Sequence, residues 1–153
     1  MKNIYWLILS LVVTFFTAFL GSQVTTPSID NWYQSLQKPF FNPPNWIFAP
    51  VWTLLFFLMA VSFYLILINS KRNFKSIILF FTQLIFNFLW SYCFFFLHNP
   101  KLAFVDIIIL IILVILTYKN FVKINKTAGL LLLPYLAWIS FASILNLAII
   151  LLN

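Results

Sequence analysis

Three faces of this chain carry side chains suited to holding a flat apolar ring. Ala49, Trp52 and Phe56 recur at i, i+3 and i+7. Gln83, Asn87, Trp90 and Phe94 recur at i, i+4, i+7 and i+11. Pro134, Trp138, Ala142 and Leu145 keep i, i+4, i+8 and i+11, with Tyr135 and Asn146 alongside. Each spacing places its members on one side of a helix. Amides and indole N–H groups are costly in an apolar interior unless they find partners, so these faces must point inward. Two readings fit. As interhelical glue, Gln83, Asn87 and Asn146 bond across helices for ~0.6–2 kcal/mol each. As a binding site, Trp52, Trp90 and Trp138 wall a cavity for a large flat ring system, adding roughly 0.5–1.5 kcal/mol per aromatic pair to apolar contact. Glue explains the amides, but it explains less well a tryptophan on each face.

The stretch from Trp32 to Phe56, WYQSLQKPFFNPPNWIFAPVWTLLF, adds Trp32, Tyr33, Trp46 and Trp52 together with the prolines Pro39, Pro43, Pro44 and Pro50. Its rings form either an interfacial aromatic belt or the mouth of a pocket. Other chemistry is poorly supplied. Glutamate is absent, the two aspartates lie in different segments, and His98 and Cys93 are single. Paired-carboxylate catalysis, a Ser-His-Asp or Cys-His arrangement and a metal site are therefore unsupported, and no cofactor is implied. With Gly21 and Gly129 as the only glycines there is no phosphate loop or dinucleotide fingerprint. Asp106 lies about one turn into an apolar run; it either pairs with Lys101 or a helix N-terminus and snorkels, or it relays protons.

The elements that position these faces follow from composition. The 153 residues are 64% hydrophobic and 7% charged, against roughly 25% charged in soluble domains. The chain reads as an integral membrane protein, and its long unalternating apolar runs favour helices over a barrel. Spans of ~20 residues are predicted near 4–22, 45–69, 76–97, 102–121 and 128–151, giving an all-α five-helix bundle in a single transmembrane domain, 1–153. With five spans, Lys2, Lys71, Arg72, Lys75, Lys119, Lys123 and Lys126 share one side, leaving only Lys38 and Lys101 on the other. That split predicts an inside N-terminus and an outside C-terminus. The net charge of +7 then reads as topology and contact with anionic headgroups, not nucleic-acid binding. The first helix is read as a retained span, since Ala18-Phe19-Leu20 is a poor cleavage site. Cys93 being alone excludes an intrachain disulfide.

Three connections are short, at Asn69–Lys75, His98–Lys101 and Lys123–Thr127, which makes their helices antiparallel neighbours. The first connection, Gln23–Asn42, is long and carries Trp32, Tyr33 and Leu36, so it is expected to fold over the bundle as a lid. Pro43-Pro44 suits a helix start, while Pro50 and Pro134 should kink or delay their helices. Thr14, Ala18 and Gly21 form a small-residue strip on the first helix that permits close approach.

Read in order, Trp32-Tyr33-x-x-Leu36-Gln37-Lys38-Pro39, Pro43-Pro44, Ala49-Pro50-Val51-Trp52, Gln83-Leu84-x-x-Asn87-x-x-Trp90 and Pro134-Tyr135-Leu136-Ala137-Trp138-x-x-Phe141-Ala142-x-x-Leu145-Asn146 resemble the translocator protein family. Its members are also called tryptophan-rich sensory proteins or peripheral-type benzodiazepine receptors. The resemblance covers nearly the whole chain. It implies a five-helix bundle, commonly a homodimer, with a pocket below the first loop for porphyrin and haem-type tetrapyrroles and benzodiazepine-site drugs. Carried over by position, Trp32, Tyr33, Pro43 and Pro44 belong to the lid. Trp52, Phe56, Asn87, Trp90, Trp138, Ala142 and Leu145 line the pocket, and Trp46 and Ala49 complete the candidate set. After Asn146 the chain continues Leu-Ala-Ile-Ile-Leu-Leu-Asn, without the aromatic-plus-basic sterol motif of animal members. That departure, and the lack of a mitochondrial-style presequence, point to a bacterial cytoplasmic membrane. Three functions are compatible: a receptor or transporter for tetrapyrroles, a light- and oxygen-dependent degrader of protoporphyrin IX using Trp52 and Trp138, and a structural membrane subunit.

Overall fold

A computed structural model describes residues 2–153, with Lys2 described by its backbone alone; its side chain, one of the seven basic groups assigned above to the inner side, lies outside the described residues. Most of the described residues are helical and none forms a strand. In chain order the helices are α1 (Lys2–Ser28), α2 (Asn45–Leu67), α3 (Phe74–Ser91), α4 (Pro100–Ile124), α5 (Lys126–Leu130) and α6 (Leu133–Leu152). Five stretches are long and apolar enough to cross a membrane: Asn3–Tyr33, Asn45–Leu67, Phe74–Phe96, Pro100–Ile124 and Lys126–Leu152. All-α architecture with five spanning helices is thus the fold.

Helix one departs from the sequence expectation. It was placed at 4–22 with a loop from Gln23, yet α1 runs through Pro27 to Ser28 and continues as a π-helical turn, Ile29–Tyr33. Pro27 removes one backbone donor, and the widened turn follows directly after it. The extension is held by one bond from a neighbouring element and one within itself. Ser28 Oγ donates to the Phe95 carbonyl at 2.7 Å, and Asn31 Nδ2 returns to the Pro27 carbonyl at 3.1 Å. The free connection therefore shrinks to the segment between Tyr33 and Asn45. A second π-turn, Tyr92–Phe96, extends α3 at the same end of the bundle.

Asparagine caps set three of the helix starts. Asn73 accepts from the Ser76 amide at 2.9 Å, Asn99 from Leu102 at 3.0 Å, and Asn125 from Ala128 at 3.1 Å. Each satisfies a donor that the first helical turn leaves orphaned. Pro50 does not delay α2, which runs unbroken from Asn45. At Pro134 the fifth crossing is interrupted, with α5 ending at Leu130 and α6 starting at Leu133. The α4–α5 turn needs Gly129, because a Cβ there would lie 2.2 Å from Val122 Cγ2 and 2.9 Å from its backbone nitrogen.

The main core joins α2, α3, α4 and α6 through Leu55, Met59, Phe63, Phe80, Leu110, Phe121 and Ile139. Phe63 and Phe80 stack at 4.0 Å with planes 7° apart. Buried hydroxyls cross between helices: Ser10 donates to the Ala60 carbonyl, and Ser62 to the Ala128 carbonyl at 2.6 Å. These contacts fill the end of the bundle that carries Arg72 and the basic loops. At the opposite end the helices part around a cavity.

Candidate functional site

The cavity has a volume of about 500 Å³ and is enclosed by α1, α2, α3, α6 and both π-turns. That size falls within the range of small-molecule sites. Trp52 and Phe56 enter from α2, with ring centroids 5.8 Å apart. Trp90 enters from α3 and stacks on Phe94 at 5.4 Å. Trp138 enters from α6, edge-on to Phe48 at 6.0 Å. Ala142 and Leu145 from α6 form a smooth floor beside these rings.

Two amides position the aromatic wall. Trp90 Nε1–H donates to Asn146 Oδ1 at 3.1 Å, and Asn146 Nδ2 donates to the Pro100 carbonyl at 2.8 Å. Asn146 thereby fixes an indole and ties α6 to the start of α4. Asn87 Nδ2 donates to Tyr135 Oη at 2.8 Å, and the Tyr135 ring lies edge-on to Trp52 at 6.3 Å. The two readings of the polar faces, glue and pocket, are therefore joined: the interhelical bonds hold the rings that line the cavity.

The fourth wall is α1, which presents a strip of small and hydroxylic residues, Thr17, Ala18, Gly21, Ser22 and Thr25, flanked by Phe15 and Phe19. Thr17 Oγ1 donates to the Val13 carbonyl at 3.2 Å and Ser22 Oγ to the Phe19 carbonyl at 2.7 Å. With their protons turned back onto the helix, these hydroxyls present lone pairs outward. No residue lining the cavity carries a formal charge. The chemistry on offer is apolar contact, ring stacking and a few neutral hydrogen bonds.

Nine of the thirteen candidate residues border this cavity: Tyr33, Ala49, Trp52, Phe56, Asn87, Trp90, Trp138, Ala142 and Leu145. Trp32, Pro43, Pro44 and Trp46 do not. Trp32 and Tyr33 belong to the π-turn after α1, not to a free loop. Trp32 is half-buried outside the cavity, stacked on His98 at 4.4 Å and edge-on to Phe94 at 5.4 Å. Tyr33 turns inward and its hydroxyl donates to Asn42 Oδ1 at 3.1 Å. Pro43 and Pro44 lead into α2, and Trp46 is 73% exposed, as an aromatic belt residue at the membrane surface would be.

Two side chains flagged in the sequence sit elsewhere. Gln83 is buried away from the cavity, its Nε2 3.9 Å from Met59 Sδ and its Oε1 without a partner. Asp106 is buried in α4 with Oδ2 unpartnered, and the expected pairing with Lys101 is absent among the described residues. One turn into α4 it has been drawn into the bundle by packing rather than left at the surface to pair.

Sequence reasoning missed most of the α1 wall together with Phe48 and Ile149, while Phe94, placed on the inward face of its helix by spacing, does border the cavity. Thr17, Gly21 and Thr25 repeat at four-residue intervals on one face, a signal that could have marked α1 as a lining helix.

Residues 9–152 match the model of the TspO/MBR family. The chain is 49% identical to a tryptophan-rich protein TspO of Archaeoglobus fulgidus over 99% of both chains. It is 41% identical to a protein of the same name from Chlorobaculum tepidum, over 99% of this chain and 98% of the relative. It is 37% identical to a translocator protein of Ovis aries, over 84% of this chain and 78% of the relative.

Proposed function

Since the chain belongs to the TspO/MBR family, we propose that this integral membrane protein is a receptor for flat tetrapyrroles, protoporphyrin IX and haem-type rings, and for benzodiazepine-site ligands, sensing or translocating them. The observation that carries the reading is the uncharged cavity of about 500 Å³ with Trp52, Trp90 and Trp138 on separate helices around it. Packing alone is served more simply by leucine, whereas three indoles around one space suit ring stacking. Saturable quenching of tryptophan emission by protoporphyrin IX in nanodiscs is expected. Trp138→Leu, which removes a ring that touches no polar partner, should weaken that binding about tenfold, the equivalent of ~1.4 kcal/mol. Quenching that never saturates would leave a structural membrane subunit as the function.

A second reading is light- and oxygen-dependent breakdown of protoporphyrin IX. It is favoured by the fact that Trp52 and Trp138 both border the cavity, with neither indole N–H bonded to a protein acceptor among the described residues. Illumination of the complex in oxygen tests it. If the porphyrin disappears no faster with wild type than free in micelles, the protein binds without degrading.

A further inference from the structure

Resting on the reading of this cavity as a ligand site, the geometry points to a lateral portal between α1 and α2 as the route of ligand exchange, beneath a lid that stays fastened. The cavity's lining residues differ sharply in exposure. Every exposed one comes from α1 or α2: Phe19, Ser22 and Thr26 on the first, Asn45, Ala49 and Thr53 on the second. Lining residues from α3, α6 and the π-turns are buried or half-buried. The exposed residues form two helical rows, at i, i+3, i+7 and at i, i+4, i+8, which border a single seam.

That seam is zipped at one end and bare at the other. Near the basic loops, Ser10 Oγ donates to the Ala60 carbonyl, and the Arg72 guanidinium lies 4.8 Å over the Trp6 ring. Counting antiparallel from Ser10 and Ala60 brings Gly21 and Ser22 beside Ala49. Among the described residues no hydrogen bond joins α1 to α2 along this stretch. The side chains bordering this stretch are small apart from Phe19, and a Cβ on Gly21 would meet Ser91 Oγ of α3 at 3.7 Å and no atom of α2. Pro50 adds compliance: it has no N–H for the Trp46 carbonyl, so the turns carrying Asn45 and Ala49 are the easiest part of α2 to displace.

The lid is fastened by comparison. The Asn153 carboxamide grips both peptide groups of Gln37: its Oδ1 accepts from the Gln37 amide at 2.9 Å, and its Nδ2 donates to the Gln37 carbonyl at 2.9 Å. The Tyr33–Asn42 bond at 3.1 Å and Lys38 Nζ, 4.6 Å over the Tyr33 ring, hold the same segment. Opening the lid breaks all of these, whereas parting the seam breaks no hydrogen bond among the described residues, only van der Waals contacts of small side chains and of Phe19. The ligands this route takes are flat, membrane-soluble rings that reach the protein from the surrounding lipid and slide in edge-on.

The test is stopped-flow quenching by protoporphyrin IX of the full chain in nanodiscs. Gln23→Cys, exposed on α1 beside Ser22 and Thr26 but outside the cavity lining, is placed in a Cys93→Ser background and measured before and after coupling a bulky maleimide, so that one folded protein serves as its own control. The adduct should slow association and dissociation together by roughly tenfold, with Kd shifted by less than about threefold. Asn153→Ala should leave both rates within about twofold of wild type. Faster exchange in Asn153→Ala, with the adduct exchanging at the unmodified rate, overturns the portal and leaves the ligand reading standing. Wild type that never shows saturable quenching overturns both.

Discussion

At the scale of single residues, the site depends on a few polar groups that hold rings in place. Asn146 is buried at 1% exposure and serves two partners, the Trp90 indole N–H and the Pro100 carbonyl. Asn146→Ala leaves a donor and an acceptor unsatisfied in an apolar interior, which costs about 1–3 kcal/mol. We expect a lower thermal transition in nanodiscs and a changed tryptophan emission, because Trp90 loses its orienting partner. Asn146→Leu fills the space but not the bonds, so its emission should match the alanine variant and not wild type. Gly129 sets a different limit. Any side chain there collides with Val122, 2.2 Å from the ideal Cβ position. Gly129→Ala should destabilise by about 1–3 kcal/mol through overpacking, read as a drop in the same thermal transition with ligand affinity unchanged, since Gly129 lies outside the cavity.

At the scale of elements, four helices, α1, α2, α3 and α6, each contribute a surface to the cavity. Those of α2, α3 and α6 were legible in the sequence because indoles and amides stand out against apolar runs, and their spacing puts them on one side. The face of α1 was not. Threonine, serine, alanine and glycine are ordinary in membrane helices, so the hydroxyl wall looked like a surface for close packing. The end of α1 was misread for a related reason. Pro27 and the polar residues around it resemble a loop, and what keeps them helical is tertiary: the Ser28 bond to Phe95 and the Trp32–His98 stack, neither of which shows in local pattern. The fate of Asp106 was illegible too, since its burial follows from how α4 packs and not from its neighbours in sequence. Pro50 supplies the prediction at this scale. A proline inside a helix forfeits a backbone hydrogen bond at a cost of up to about 3 kcal/mol, yet α2 passes through it unbroken. Pro50→Ala restores the donor and should raise the thermal transition. If Pro50 makes the portal compliant, the same variant slows porphyrin exchange, and a stabilised protein with unaltered exchange rates would dissociate the two effects.

At the scale of the whole molecule, the bundle is divided lengthwise. One end is tightly packed around Phe63, Phe80 and Phe121 and faces the turns and helix ends that carry Lys71, Arg72, Lys75, Lys119, Lys123 and Lys126. The other holds the cavity, the portal and the lid, with only Lys38 and Lys101 beside it. Basic residues are retained on the inner side of a membrane, so we propose from the charge asymmetry that the cavity sits in the outer half of the bilayer, its lid outside and the packed end inside. Ligand drawn through the portal would then come from the outer leaflet. Single cysteines in a Cys93→Ser background decide the orientation, because Cys93 is the chain's only cysteine and is buried. Lys101→Cys should react with a membrane-impermeant maleimide in intact cells, and Lys71→Cys only after the membrane is opened. The reverse pattern would place the lid and the portal's leaflet on the inner side, making the interior of the cell the source of the ligand.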